Sequence, residues 1–438
     1  MKSRKGKAMG ASRNTPLFLK RDKGAGGKGK SLPLSGTAHS QNSAGEKILS
    51  AAAEGIRLME SGRCTLDDFL DLHAPQTYRR TVGHLLLTFC RRRGALEREL
   101  ARLAPKAPGE KIRPLLLAAM TQTRFQNAVA PESAVSIAVE LAKGLHADKF
   151  FNAVLRRYLR ENVPFSEEPD IILPPAVFAR WRKRFSQEEL RKLTALFLSE
   201  PPFTFRLEKD AGEPDFSYEM LCRVGPFTFG TAEPGEVLGS RALAEGRIYI
   251  QDPAAARAPS SPDYSCVKTV LDLCAAPGGK ALMMTENLTD DAVLTAFDCS
   301  EARQKLTKEN FDRRHLAWRV LSGRPEELKG KFDLVMADVP CSNTGVFRRR
   351  PDALWRFSEK GLTEILAVQR GLLEHAARLT APGGQLVYST CSIEPEENGE
   401  TAAAFLARHP GFRLVAQELI LPSGISDGAG YTLFRREK

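Results

Sequence analysis

No apolar run in this chain approaches the ~18 residues that a membrane-spanning helix needs, so no membrane contact of that kind is expected. The N-terminus is basic but no apolar stretch follows it, and a secretory signal is not expected. Neither CxxC nor any Cys/His metal spacing occurs among the eight cysteines. That absence speaks against zinc modules and a disulfide framework, and suggests reduced thiols in a cytoplasmic compartment, open to chemistry. The phosphate-binding patterns GxxxxGK[ST] and GxGxxG are missing as well.

What is present is ordinary in bulk, with 42% hydrophobic and 27% charged residues. At 438 residues the chain is long enough for two or three domains. The formal net charge of +11 fits a polyanionic partner. Part of the excess lies in the first thirty residues, which hold ten Lys/Arg against one acid among many Gly and Ser. Residues 1–41 therefore read as a disordered basic arm, suited to non-specific phosphate contacts. A solubilising tail and an acid-poor targeting leader are the competing readings.

Residues 42–165 carry helical periodicity. In PESAVSIAVELAKGL, Val135, Ala138, Val139 and Ala142 share a face. In KFFNAVLRRYLR, Phe151, Val154, Leu155 and Tyr158 face a core while Arg156, Arg157 and Arg160 point outward. The stretch 165–175 reads as a connector, followed by a helix over about 176–199. Short β-like runs at 202–208, 224–230 and 247–252, with a short helix near 214–222, suggest a small α+β subdomain over 176–262. From 263 onward KTVLDLC, VLTAFDC, AWRVLS, FDLVMADV and QLVYST alternate with helical stretches, the pattern of a doubly wound, mainly parallel sheet. FRLVAQE and GYTLFRRE would add two edge strands, one antiparallel.

Ligands of such sheets bind at the carboxyl ends of the strands, where every candidate motif falls. KTVLDLC runs into AAPGGK, in which Pro277 ends the strand and Gly278 and Gly279 permit a sharp turn close to a ligand. Asp298 ends the second strand, where an acid can bind ribose hydroxyls or cap the following helix. Cys341 and Cys391 end the fourth and fifth strands. A thiolate there would suit covalent catalysis, but chemistry alone does not choose between them. Arg348, Arg349 and Arg350 beside Trp355 and Phe357 combine charge with stacking surface, as RNA contact requires, although a solvated charge run is the plainer reading.

LDLCAAPGGK, ADVPCSNTGVFRRRPDALW and LVYSTCSIEPEENG together resemble the RsmB/Sun family of RNA cytosine-5 methyltransferases, within the NOL/NOP/Sun superfamily. AVELAK and FFNAVLRRYLR look like the NusB-like RNA-binding domain of that family. The resemblance implies a multidomain chain: an all-α NusB-like domain (42–165), a small α+β, RRM-like RNA-binding subdomain (176–262) and an α/β Rossmann-type class I methyltransferase domain (263–438). It implies S-adenosyl-L-methionine as cofactor, held by Cys274, Ala275, Ala276, Pro277, Gly278, Gly279 and Lys280, with Asp298 on the ribose and Asp338 bordering cofactor and target base. Cys274 itself is expected to pack within the turn. Attack falls to Cys391 and product release to Cys341; Asp338, if protonated, could donate to ring nitrogen-3, or it could accept from the exocyclic amine.

Two positions depart from the family pattern. Ala281 stands where Thr or Ser is usual, and Ser322 where an acid is common, so adenine would meet a weaker, neutral acceptor and cofactor affinity should fall. The implied product is 5-methylcytosine in RNA, with small-subunit ribosomal RNA the leading substrate; the sequence leaves the oligomeric state open, a monomer being the favoured expectation. Transfer RNA is the alternative substrate, and an RNA-binding assembly factor with a decayed cofactor site is the alternative of another class.

Overall fold

The computed structural model describes residues 43–209 and 211–438, and the basic arm expected over 1–41 lies outside the described residues. Helix Ala44–Glu60 starts at a capping box in which Ser43 and Glu46 bond each other's backbone N–H groups. Helices Leu66–Leu72, Arg79–Leu103, Arg113–Phe125, Pro131–Lys143 and Asp148–Glu161 complete an all-helical module. Phe151, Val154, Leu155 and Tyr158 enter its core with Leu86, Phe89 and Leu116, as their spacing requires. Val135, Ala138 and Ala142 are buried with them, whereas Val139 is only partly covered.

The connector holds one helical turn, Pro169–Ile172, pressed against the module at Gly94. A side chain at Gly94 would place Cβ 1.9 Å from the Ile171 carbonyl oxygen, so only glycine allows this approach. The single helix expected over 176–199 is two, Pro175–Trp181 and Gln187–Leu198. Another capping box, Ser186 with Glu189, restarts the chain and turns Phe185 back against Trp181.

Four antiparallel strands follow: β1 (Thr204–Leu207), β2 (Glu219–Val224), β3 (Phe227–Thr231) and β4 (Ile248–Ile250), in the order β2-β3-β1-β4. The short helix expected near 214–222 is absent: 214–218 are irregular and 219–222 open strand β2. Gly225 and Pro226 close a two-residue hairpin in which Val224 pairs with Phe227, and this long-range pairing overrides the local helical pattern.

The second sheet contains β5 (Thr269–Asp272), β6 (Val293–Asp298), β7 (Arg319–Ser322), β8 (Phe332–Asp338), β9 (Thr380–Thr390), β10 (Phe412–Ile420) and β11 (Ala429–Arg436). Its order is β10-β11-β9-β8-β5-β6-β7, with β5 to β9 parallel and β11 antiparallel to both neighbours. Alternate residues of β8 serve opposite faces. Val335 and Ala337 pack with Leu373, Ala376 and Phe405, and Leu334 and Met336 pack with Ala281, Leu282 and Met284. The chain order reverses between β5 and β8, which opens a crevice at their carboxyl ends.

The run RRRPDALW is placed otherwise than its composition suggests. Arg348 is buried, and its guanidinium donates to the carbonyls of Glu200 at 2.7 Å, Gly424 at 3.1 Å and Ser423 at 3.2 Å. Arg349 bridges Asp427 at 2.6 Å and Asp252 at 2.8 Å. Trp355 donates from Nε1 to the Cys90 carbonyl at 2.8 Å, under the Arg93 guanidinium, and packs against both the helical-module core and the Trp181 cluster. These three side chains therefore clasp the helical module, the small sheet and the large sheet together rather than facing RNA. A guanidinium with five donors satisfies carbonyls stranded at such a junction. Arg350 alone of the three arginines stays exposed, 3.7 Å from Asp67.

No helix among the described residues is long and apolar enough to cross a membrane. Trp355→Ala should lower stability by about 2–4 kcal/mol, through lost packing and one lost hydrogen bond. Denaturant unfolding checks this, and the folded variant should bind single-stranded RNA as the parent does.

Candidate active site

Two cavities meet at the carboxyl ends of β5, β8 and β9. The first, of about 530 Å³, is lined by the turn after β5 and by Tyr249, Gln251, Asp272, Lys280 and Asp338. Gly278 takes φ +103°, a left-handed conformation that favours glycine. Gly279 passes beneath Tyr249, whose ring would lie 2.7 Å from a Cβ there. Tyr249 and Gln251 thus bring the small sheet into the wall of this cleft.

Asp272 ends β5 with its carboxyl buried and no side chain bonded to either oxygen, only the Cys274 backbone N–H acting on it. Burial, followed by the negative charge of Asp338, pushes its pKa up to about 8 against the opposing pull of Lys280. An unpartnered buried carboxyl calls for a cationic ligand, and S-adenosylmethionine carries both an ammonium and a sulfonium. The residues present therefore fit the cofactor that the motifs imply. Asp298, also buried, accepts from the Ser300 N–H at 2.8 Å and from Arg303 at 2.7 and 2.8 Å. It serves its own helix in this state, and a ribose would share it with the half-exposed Arg303. Ser322 pairs in register with Asp298 on β7 and is exposed. Ala281 is fully buried in the core and does not line the cleft. The Cys274 thiol is held well above its usual range by burial and then by Asp272, Asp298 and Asp338.

The second cavity, of about 420 Å³, shares Lys280 and Asp338 with the first and adds Cys391, Ala254, Val346 and Tyr431. Because Asp338 and Ser389 are register partners, the loops after β8 and β9 leave the sheet side by side. Their cysteines converge, Cys341 Sγ lying 2.6 Å from Cys391 Sγ, and both are free thiols. Asn343 spans them, its Oδ1 3.3 Å from the Cys391 sulfur and its Nδ2 donating to the Cys341 carbonyl at 3.1 Å. Gly345 donates from its N–H to the Cys391 carbonyl at 3.0 Å, closing the two loops on each other.

Asp338 accepts from Lys280 Nζ and from Ser389 Oγ, each at 2.7 Å. Burial alone would lower the Lys280 pKa, but Asp338 and then Cys391 outweigh it, and the group is held as an ammonium above its usual value. The Cys341 thiol is pushed well up by burial, by its contact with Cys391 and by the charge of Glu397.

Sequence reasoning chose Asp298 as an acid at a strand end and passed over Asp272, which carries the same signal in LDLC. It also missed Tyr249 and Gln251, whose contribution depends on where the small sheet docks, and Glu397 within EPEENG. No cluster able to hold a metal ion occurs among the described residues.

The Asp272 assignment has a pH signature. A folded-state pKa near 8, against about 3.9 unfolded, means the empty protein binds an extra proton between those values. Stability from this group should fall as pH rises through that window, by up to about 1.4 kcal/mol per pH unit. Asp272→Asn should flatten that slope in thermal unfolding. By calorimetry, parent affinity for S-adenosylmethionine should rise from pH 6 to pH 8.5, and the variant's should not.

The family model described as 16S rRNA methyltransferase RsmB/F matches residues 264–436, and that of the NusB family matches 50–160. Ribosomal RNA small subunit methyltransferase B of Vibrio cholerae is 31% identical over 330 residues, spanning 70% of this chain and 76% of the relative. The Bacillus subtilis protein described as probable ribosomal RNA small subunit methyltransferase B is 29% identical, over 69% and 74% of the two chains. The crystal structure of PH0851 shares the fold with a TM-score of 0.70 at 22% identity, over 92% of this chain and all of that one. Motifs, fold and relatives agree: the chain belongs to the RsmB/F family of S-adenosylmethionine-dependent RNA methyltransferases.

Proposed function

We propose that the chain methylates carbon-5 of a cytosine in small-subunit ribosomal RNA through a covalent adduct with Cys391. One observation carries this reading: two thiols meet beside a pocket that shares Lys280 and Asp338 with the cofactor cleft. The ribosomal substrate is that of the relatives' names. A base stacked in a duplex cannot enter such a pocket, so the target is unpaired or flipped out.

Carbon-5 of cytosine is a poor nucleophile until a thiolate adds to carbon-6. Cys391 suits attack because it lines the base pocket, whereas Cys341 is buried behind it. Addition places negative charge on the ring, and the Lys280 ammonium at the pocket wall stabilises it. Asp338, already accepting from Lys280 and Ser389, serves as acceptor for the exocyclic amine rather than as a protonated donor. Bound S-adenosylmethionine supplies the methyl group that carbon-5 takes. The residues holding it are the turn Cys274–Lys280, Asp272, Asp298, Asp338 and, as a weak acceptor, Ser322. The carbon-5 proton then leaves and the sulfur is expelled. Cys341, its thiol kept protonated by burial, hands its proton to the departing Cys391 sulfur 2.6 Å away and takes the carbon-5 proton in its place, the electron pair of that C–H bond restoring the 5,6 double bond.

Arg350 and the outward Arg156, Arg157 and Arg160 of the helical module offer phosphate contacts. The enzyme acts as a monomer in the cytoplasm, where eight free thiols remain reduced. Cys391→Ala should abolish methylation of unmodified small-subunit RNA while leaving S-adenosylmethionine affinity intact. Cys341→Ala should accumulate a protein–RNA adduct on denaturing gels. Turnover by the first variant, or normal product release by the second, would refute the assignment.

A further inference from the structure

The loops bearing the two cysteines are joined by a group that the reaction above does not use. Glu397, fully buried in the turn after β9, accepts from the Ser342 N–H at 2.8 Å and from Gln369 Nε2 at 2.8 Å. Its other oxygen accepts from the hydroxyls of both Ser342 and Ser392. Those serines directly follow Cys341 and Cys391. The backbone carbonyl of Glu397 in turn accepts from the Tyr388 hydroxyl at 2.8 Å, which ties the turn to β9 itself. One carboxylate thus fastens the residue after each thiol, braced by helix Glu359–Leu379 through Gln369.

We propose that Glu397 is a positioning residue that locks the two cysteine loops in register and biases the negative charge of the thiol pair onto Cys391. The inference rests on the reading of Cys391 as nucleophile. Two sulfurs this close cannot both carry a negative charge without strong repulsion, so the site must favour one. The charged groups facing them are Glu397, Lys280 and Asp338, with Asp272 behind Lys280 and the Arg349-paired Asp252 and Asp427 across the same cavity. Glu397 acts on Cys341 and opposes charge there, while the Lys280 ammonium attracts charge to Cys391. The carboxylate and the ammonium therefore polarise the pair in one direction. Asp338 is engaged by Lys280 and Ser389 and reinforces neither thiolate.

Glu397→Gln keeps the side-chain volume and removes the charge, and the serine hydroxyls can accept from its amide. The test uses the full-length enzyme and reads four quantities: unfolding temperature, S-adenosylmethionine affinity by calorimetry, kcat and KM for RNA, and the sites of iodoacetamide alkylation by mass spectrometry. Unfolding temperature, cofactor affinity and KM should be unchanged. The kcat should fall at least about tenfold, as loss of reactive geometry does, and alkylation should spread from Cys391 to Cys341.

A folded variant with kcat within about twofold of the parent and Cys391-selective alkylation would overturn the proposal. Should Glu397→Gln fail to fold, Ser342→Ala with Ser392→Ala removes the hydroxyl ties that hold the Glu397 carboxyl ionised against its burial. That double variant should lose kcat and spread alkylation to Cys341, and unchanged kcat would again sink the idea. RNA containing 5-fluorocytidine separates this outcome from a failure of the nucleophile assignment. A trapped adduct on Cys341 in the parent refutes Cys391 whatever Glu397 does, whereas an adduct on Cys391 with no effect of Glu397→Gln refutes only the positioning role.

Discussion

Parallel strands β8 and β9 run in register from Leu334 opposite Gln385 to Asp338 opposite Ser389. The placement of Asp338, Cys341 and Cys391 relative to one another depends on that pairing. It fixes where the chain leaves the sheet, and hence where Cys341 and Cys391 stand after fifty residues of intervening sequence. A slip of one residue would turn Asp338 and Ser389 to the opposite face and take the carboxylate away from Lys280. The ladder is held by Val335 and Leu386 on one face and Met336 and Val387 on the other, all fully buried. The chemistry is thus anchored by apolar packing on both sides of one strand pair, and the polar groups of the site are mounted on its end.

The electrostatics around that end are uneven by construction. Asp272, Asp298 and Asp338 stand at the ends of three neighbouring strands, with Lys280 as the cation nearest the base pocket and Arg303 clasping Asp298. Asp272 is left without a side-chain partner. A desolvated carboxyl of this kind costs stability in the empty protein, and the cost is recovered when a cation enters. The turn after β5, proposed to hold the cofactor, therefore does not need the phosphate-cradle sequence it lacks. The charge complement is carried by side chains from the strands, not by a glycine-rich anion nest.

Much of this was legible in the sequence, for identifiable reasons. The buried strands of the large sheet are near-continuous apolar runs, and the motifs fall at their ends because that is where parallel sheets place ligands. The helical faces at Phe151 to Tyr158 followed from period alone. Reading failed where distant partners decide the outcome. Glu219–Val224 became a strand because Phe227–Thr231 pairs with it across Gly225–Pro226. Arg348, Arg349 and Trp355 matched an RNA-contact composition, yet carbonyls and carboxylates from four separate segments claim them. Asp272 and Glu397 were hidden for the opposite reason: the first is a lone acid in an apolar run and the second is one of three in EPEENG, and the meaning of each lies in burial that one sequence does not display.

The clasp at Trp355 has one more consequence. Its indole is seated in the helical module, while its own chain segment begins at the loop of Cys341. Only fourteen residues separate the thiol from the anchor, and they are pinned on the way by Arg348 and Arg349. The clasp therefore sets the span from the helical module to the paired thiols through one short segment anchored at three side chains.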